Sequence, residues 1–122
     1  MRALIIIIAA SVAFPLFADT PRAVQLVGHW RYTNSSAKRI DDITFAADGT
    51  YTGRVTQDGK LLGEFAGKWA VEGSTLSYHY TRSSIPQIPV GLKDQDKLLQ
   101  VTKDYYVIAA IDGGQRRWLR VR

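Results

Sequence analysis

Along most of this chain, apolar and polar residues alternate at every second position. From Glu64 to Val71, one face carries Phe65, Gly67, Trp69 and Val71, and the other Glu64, Ala66, Lys68 and Ala70. Leu76, Tyr78 and Tyr80 alternate with Ser77, His79 and Thr81, and Tyr51, Gly53 and Val55 with Thr52, Arg54 and Thr56. Ile43 and Phe45 alternate with Asp42 and Thr44. A period of two is the mark of a strand with one buried face. Between the runs lie Asp48-Gly49, Asp58-Gly59, Glu72-Gly73 and Asp112-Gly113-Gly114, residues that tolerate positive φ and so favour hairpins. Lys103-Asp104 is a weaker turn. The spacing predicts eight strands, near 25–33, 39–46, 50–57, 60–71, 75–82, 97–103, 105–111 and 115–121. Beyond the first residues no segment carries a helical stripe, and 19–25 has room for one short turn.

Eight short strands joined mainly by tight hairpins predict an all-β domain: an antiparallel, eight-stranded up-and-down barrel or a strongly curved meander. Closure would remove both exposed edges. A two-sheet sandwich buries alternate residues equally well, so periodicity leaves that alternative open. Eight strands enclose an interior that side chains can fill or that one small ligand can share. One connection departs from the hairpin pattern. Ser83 to Gly91 contains Pro86 and Pro89, which cannot donate ladder hydrogen bonds, and the apolar Ile85, Ile88 and Val90. It reads either as a packed plug at one end of the barrel or as a lid or partner-binding surface.

The start of the chain has another pattern. Met1-Arg2 is a short positive segment, and the apolar run Ala3 to Ala13 follows, containing Ile5-Ile6-Ile7-Ile8. Small residues at Ala13 and Ala18 offer two cleavage points, as in a secretory leader. Cleavage after Ala18 leaves a cleaner start, so 1–18 is expected as signal peptide and 19–122 as one small domain. The apolar run is shorter than the roughly 20 residues a spanning helix needs. No membrane span is therefore expected after cleavage. The chain has no cysteine, which excludes disulfides, thiolate chemistry and lipid attachment through cysteine. Export without disulfides suits a periplasmic or secreted bacterial protein. The net charge is +5, with Arg116, Arg117, Arg120 and Arg122 near the end. Elsewhere the charges are mixed, so a solvated strand face is expected and no nucleic-acid partner.

Leu26-Val27-Gly28-His29-Trp30, followed by Ile43 to Tyr51 with its Asp48-Gly49 turn, resembles the start of small bacterial lipocalin-like proteins. Phe65-Ala66-Gly67-Lys68-Trp69-Ala70-Val71-Glu72-Gly73 is similar to a hairpin recurring in them. The resemblance implies a barrel closed at one end by the first-strand tryptophan, Trp30, after Gly28. It also implies a basic residue from a late strand, Arg117 or Arg120, packed across that ring by cation–π contact. The chain is shorter than full lipocalins and shows no C-terminal flanking helix, which implies a small cavity or none.

Chemistry beyond binding has little to rest on. His29 and His79 fall on outward faces, and no histidine or carboxylate cluster has metal-ligand spacing. No glycine-rich loop opens a helix, and no serine lies in a nucleophile elbow. Asp41-Asp42 and Asp94-x-Asp96 are carboxylate pairs expected at strand ends, in solvent. No enzyme activity, cofactor or metal is expected. Trp30, Tyr32, Phe45, Tyr51, Phe65, Trp69, Tyr78 and Tyr80 share inward parity. They either fill the core or wall a site for a small lipophilic ligand. Ligand contacts are expected from Tyr51, Phe65, Trp69, Tyr78, Tyr80, Ile85 and Ile88. Arg82, of the same parity as Tyr80, would hold an acidic head at the barrel mouth. The alternative is a protein-binding or inhibitor barrel acting through loop 83–91.

Overall fold

The computed structural model describes residues 23–110 and 112–122. The expected leader and both cleavage points lie outside these residues. Eight antiparallel strands follow one helical turn, α1 (Ala23–Leu26): β1 (Gly28–Asn34), β2 (Arg39–Phe45), β3 (Thr50–Gln57), β4 (Lys60–Glu72), β5 (Thr75–Ser83), β6 (Lys93–Val101), β7 (Tyr105–Ala109) and β8 (Gln115–Arg120). Each pairs with its neighbours in sequence, and β8 returns to β1, so the sheet is a closed barrel. That settles the choice between barrel and sandwich. Closure comes through a short seam, with Trp30 opposite Arg120 and Arg31 opposite Leu119. Among the described residues no helix is long and apolar enough to cross a membrane.

The turns are made by the residues that punctuate the pattern. Asp58 and Gly59 both have positive φ, 52° and 80°, which matches the twist of a two-residue hairpin. At the weaker turn, the Thr102 hydroxyl accepts the backbone N–H groups of Asp104 and Tyr105, at 3.1 and 3.0 Å. The side chain thus supplies what a glycine supplies elsewhere.

Three bulges adjust the alternation. The register shifts between Val55 and Thr56 in the β3–β4 ladder, between Ala66 and Gly67 in β4–β5, and between Leu98 and Gln100 in β6–β7. A bulge leaves one residue unpaired and bends its strand, as a small barrel requires. At the second, Gly67 faces Tyr80 and Ala66 faces Arg82, so Thr81 is the extra residue. Parity reverses there: Tyr80 points inward, Arg82 is exposed, and Ser83 takes the inward place opposite Phe65.

The core occupies one end. Leu26, Trp30, Phe45, Tyr51, Leu76, Leu98 and Tyr106 are all less than 2% exposed. Their rings interlock at angles: Trp30 meets Tyr106 edge-on at 4.9 Å, and Phe45 meets Trp69 at 4.8 Å. Such arrangements stabilise a core beyond the area they bury. The turns at this end follow β2, β4 and β6. At the other end lie the turns after β1, β3 and β7 and the long connection between β5 and β6.

Candidate ligand site in the open half of the barrel

The closed end is held by one arginine. The Arg120 guanidinium lies 4.1 Å from the centre of the Trp30 ring. It donates to three backbone carbonyls: Lys103, Val27 at 3.0 Å and Gln25 at 3.1 Å. Those carbonyls belong to α1, the link between α1 and β1, and the β6–β7 turn, so one side chain ties three segments together. The Trp30 indole N–H donates to the Leu26 carbonyl at 2.8 Å and satisfies the end of α1. Gly28 has φ 136°, and a Cβ there would collide with the Arg120 guanidinium. The glycine two residues before the tryptophan is therefore the space the arginine occupies. Of the two arginines offered for this role, Arg117 lies elsewhere. Its parity is outward, and it stacks on Tyr105 at 4.3 Å.

The opposite half of the barrel is not filled. A cavity of about 370 Å³ opens between the turns there. Its floor is apolar and buried, with Ile43, Val55, Tyr78 and Ile108. Phe65, Tyr80, Tyr32 and Trp118 form walls, with Tyr32 and Trp118 facing each other across the β1–β8 seam at 5.6 Å. The rim is polar and charged: Asn34, Arg39, Asp41, Asp94 and Arg116, with Asp96 deeper. The size falls within the range of small-molecule sites, at its lower end.

Burial dominates the electrostatics. It raises the Tyr78 hydroxyl far above its ordinary value, with smaller contributions from Tyr106 and Asp96. It likewise raises Tyr80 to about 12, helped by Asp94 and Asp96. Burial, and then the neighbouring Asp94, push the Asp96 carboxyl up to about 6; a hydrogen bond from Tyr78 and the charge of Arg116 oppose that rise.

The expected contact residues divide three ways. Phe65, Tyr78, Tyr80 and Ile88 line the cavity. Tyr51 and Trp69 lie outside its lining. Tyr51 is 1% exposed beneath the rings of Phe65, Tyr78 and Tyr80, and Trp69 packs on Phe45 and donates its indole N–H to the Ala46 carbonyl at 3.0 Å. Ile85 is half-buried against Gly63, where a Cβ would overlap it. Arg82 requires a correction. The bulge at Thr81 turns it to the outside, so it cannot hold a ligand head in the lumen. The carboxylate pair departs from its expected place only in part: Asp94, the second residue of β6, is exposed at the cavity rim, whereas Asp96 is half-buried deeper in the lumen. β6 begins at Lys93, four residues earlier than the pattern predicts, and Asp94, Asp96 and the buried Leu98 share one parity. Reading that parity back from Leu98 is the signal that would have found them. Arg39, Asp41 and Arg116 were likewise missed as lumenal groups.

The loop 83–91 is a fixed rim. Tyr80 N–H donates to the Leu92 carbonyl at 2.9 Å, and Gly91 N–H to the Tyr80 carbonyl at 2.7 Å, so the loop returns onto β5. Ile88 faces the cavity, whereas Val90 points away and is 64% exposed.

A closed antiparallel eight-stranded barrel, plugged at one end and hollow at the other, defines the architectural class. The model of the lipocalin-like domain family matches residues 26–111, and the chain belongs to that family. It is also similar to the crystal structure of a lipocalin-like protein from Bacteroides uniformis ATCC 8492. The TM-score is 0.55 at 16% identity, covering 80% of this chain and 99% of that one. At such identity the likeness is one of fold. No curated protein matches the chain.

Proposed function

We propose that this chain is an exported, non-catalytic binding module that holds one small, mainly apolar ligand in the open half of its barrel. The observation that supports the reading is the cavity of about 370 Å³, floored by Ile43, Val55, Tyr78 and Ile108 and walled by Phe65 and Tyr80. Apolar walls with a few placed polar groups suit a compact ring-bearing molecule. Export rests on the positive start and the apolar run Ala3 to Ala13, and makes the periplasm or the medium the place of action. The non-catalytic reading rests on the sequence, in which no serine lies in a nucleophile elbow and no histidine or carboxylate cluster has metal-ligand spacing.

Titration with the neutral dye N-phenyl-1-naphthylamine tests this. Saturable fluorescence enhancement at one site per chain is expected, and Ile88→Trp, which fills the mouth from the rim, should weaken it about tenfold. A linear, non-saturating signal together with an unchanged melting temperature would overturn the reading. A second reading, a protein partner at loop 83–91, is favoured by the exposure of Val90. It predicts that Val90→Ser releases a partner retained from periplasmic extract and leaves dye binding intact.

A further inference from the structure

Two carboxylates of the lumen make no ion pair among the described residues. Asp94 and Asp96 line the cavity from one strand. The arginines that share the lumen are both paired elsewhere: Arg39 with Asp41 at 2.9 Å and Arg116 with Asp112 at 3.1 Å. Among the described residues, neither Asp94 nor Asp96 takes part in an ion pair. Asp94 accepts the backbone N–H of Gln95 at 2.8 Å, and Asp96 accepts the Tyr78 hydroxyl.

A second feature lies beneath and beside the same volume. The hydroxyl of Tyr51, 1% exposed, lies against that of Tyr80, and the hydroxyl of Tyr106, 0% exposed, has no hydrogen-bond partner. Nor does the indole N–H of Trp118, a wall residue of the cavity and a donor that calls for an acceptor on the body of a ligand rather than for a cationic head. Leaving a buried polar group unpaired costs about 1–3 kcal/mol, so such groups are rare unless something uses them. Both hydroxyls lie within the field of the carboxylates, Tyr51 near Asp94 and Tyr106 near Asp96. Around them stand the rings of Tyr32, Phe65 and Tyr80, whose faces carry negative charge density.

We propose that the lumen selects a cationic ligand: a small protonated amine or guanidine on an apolar, ring-sized body. Its head lies between Asp94 and Asp96, and its body between Phe65, Tyr80 and Ile88. This deepens the binding reading and rests on it. Carboxylates accept hydrogen bonds and cannot donate them, an ammonium only donates, and the aromatic walls attract the same positive charge. An anionic head would bring a further negative charge to a lumen whose three carboxylates, Asp41, Asp94 and Asp96, outnumber its two arginines, Arg39 and Arg116. A bare metal ion is a poorer match, since the described residues form no group of three or more ligands suited to one. The sign is the reverse of the one expected from Arg82, because one bulge removes that cation and one longer strand brings in two anions.

Three compounds sharing a naphthyl body separate the possibilities: 2-(1-naphthyl)ethylamine, 2-(1-naphthyl)ethanol and 1-naphthylacetate, titrated calorimetrically into the purified protein. The amine should bind about tenfold more tightly than the alcohol, and the carboxylate most weakly, as expected for partly hydrated charges. Asp94→Asn with Asp96→Asn should bring the amine down to the affinity of the alcohol, and a cooperative thermal transition shows that the variant is folded. Equal binding of all three, or tightest binding of the carboxylate, overturns the charge selection and leaves the binding reading standing. If none of the three binds saturably, both fall.

Discussion

The two ends of this barrel are built from the same alternation and come out opposite. At the closed end the inward positions carry Trp30, Phe45, Leu76, Leu98 and Tyr106, large apolar groups that meet at the axis. At the open end, positions that face the lumen carry Asn34, Asp41, Asp94, Asp96 and Arg116. Charged groups cannot be packed dry against one another without a heavy desolvation penalty, so the strands stand around a hollow there. One half supplies stability and the other forgoes it. That division is expected where a site must stay open to bind.

Substitutions at the two ends should separate these roles. The largest effect is expected at the plug. Trp30→Ala should cost about 3–5 kcal/mol, read as a shift of the urea midpoint, because a fully buried indole leaves a void the surrounding rings cannot fill. A loss below about 1 kcal/mol would mean the two ends are not so different. Gly28→Ala should cost less, about 2 kcal/mol, through positive φ and displacement of Arg120. The melting temperature would fall with dye binding at the far end retained.

At the open end the sign should change. Asp96 has its carboxyl raised to about 6 from an ordinary 3.8, so the folded chain holds its proton more tightly than the unfolded chain does. It is surrounded by Asp94 on its own strand, Tyr78 and Tyr80 from β5, Tyr106 from β7, Arg116 from β8 and Asp112 from the turn before it. The contribution of Asp96 to stability is then highest below about pH 4, falls as the pH rises toward 6, and is lowest above that. Asp96→Asn should therefore stabilise the protein by about 1 kcal/mol at pH 7, allowing for partial hydration of the group, and by nothing near pH 4. Urea titrations across that range check this, and a variant less stable at pH 7 would make Asp96 part of the framework. The smallest effect is expected from Arg82→Ala, within about 0.5 kcal/mol and without consequence for any lumenal ligand. A measurable loss of binding would return Arg82 to the site.

Most of the architecture was legible in the residues. Seven of the strands lie within a few residues of their expected positions because hairpin chemistry at Asp48-Gly49, Asp58-Gly59, Glu72-Gly73 and Asp112-Gly113 is local and strong. The sixth strand was misplaced because its first half reads Lys93-Asp94-Gln95-Asp96, with no apolar residue to mark the inward face. A strand that lines water on both sides loses the contrast that periodicity detects. Bulges hide for a related reason. The extra residue at Thr81 carries no composition signal, yet it reverses every parity beyond it. The choice between Arg117 and Arg120 required the register of β8 against β1, which is a property of closure and not of any one strand.

The Arg120 contacts also bear on how the molecule comes together. Its hydrogen bond to the Val27 carbonyl spans 93 residues, and the β1–β8 seam it guards aligns only Trp30 with Arg120 and Arg31 with Leu119. Contacts of such long range form after the local hairpins, once the rest of the meander has curled. A bond absent from the folding transition state governs escape from the native state and not arrival at it. Replacing Arg120 with Met should therefore hasten unfolding in stopped-flow traces and leave the refolding limb nearly unmoved. The arginine acts as a clasp, shutting a ring that has already bent round and setting how long it stays shut.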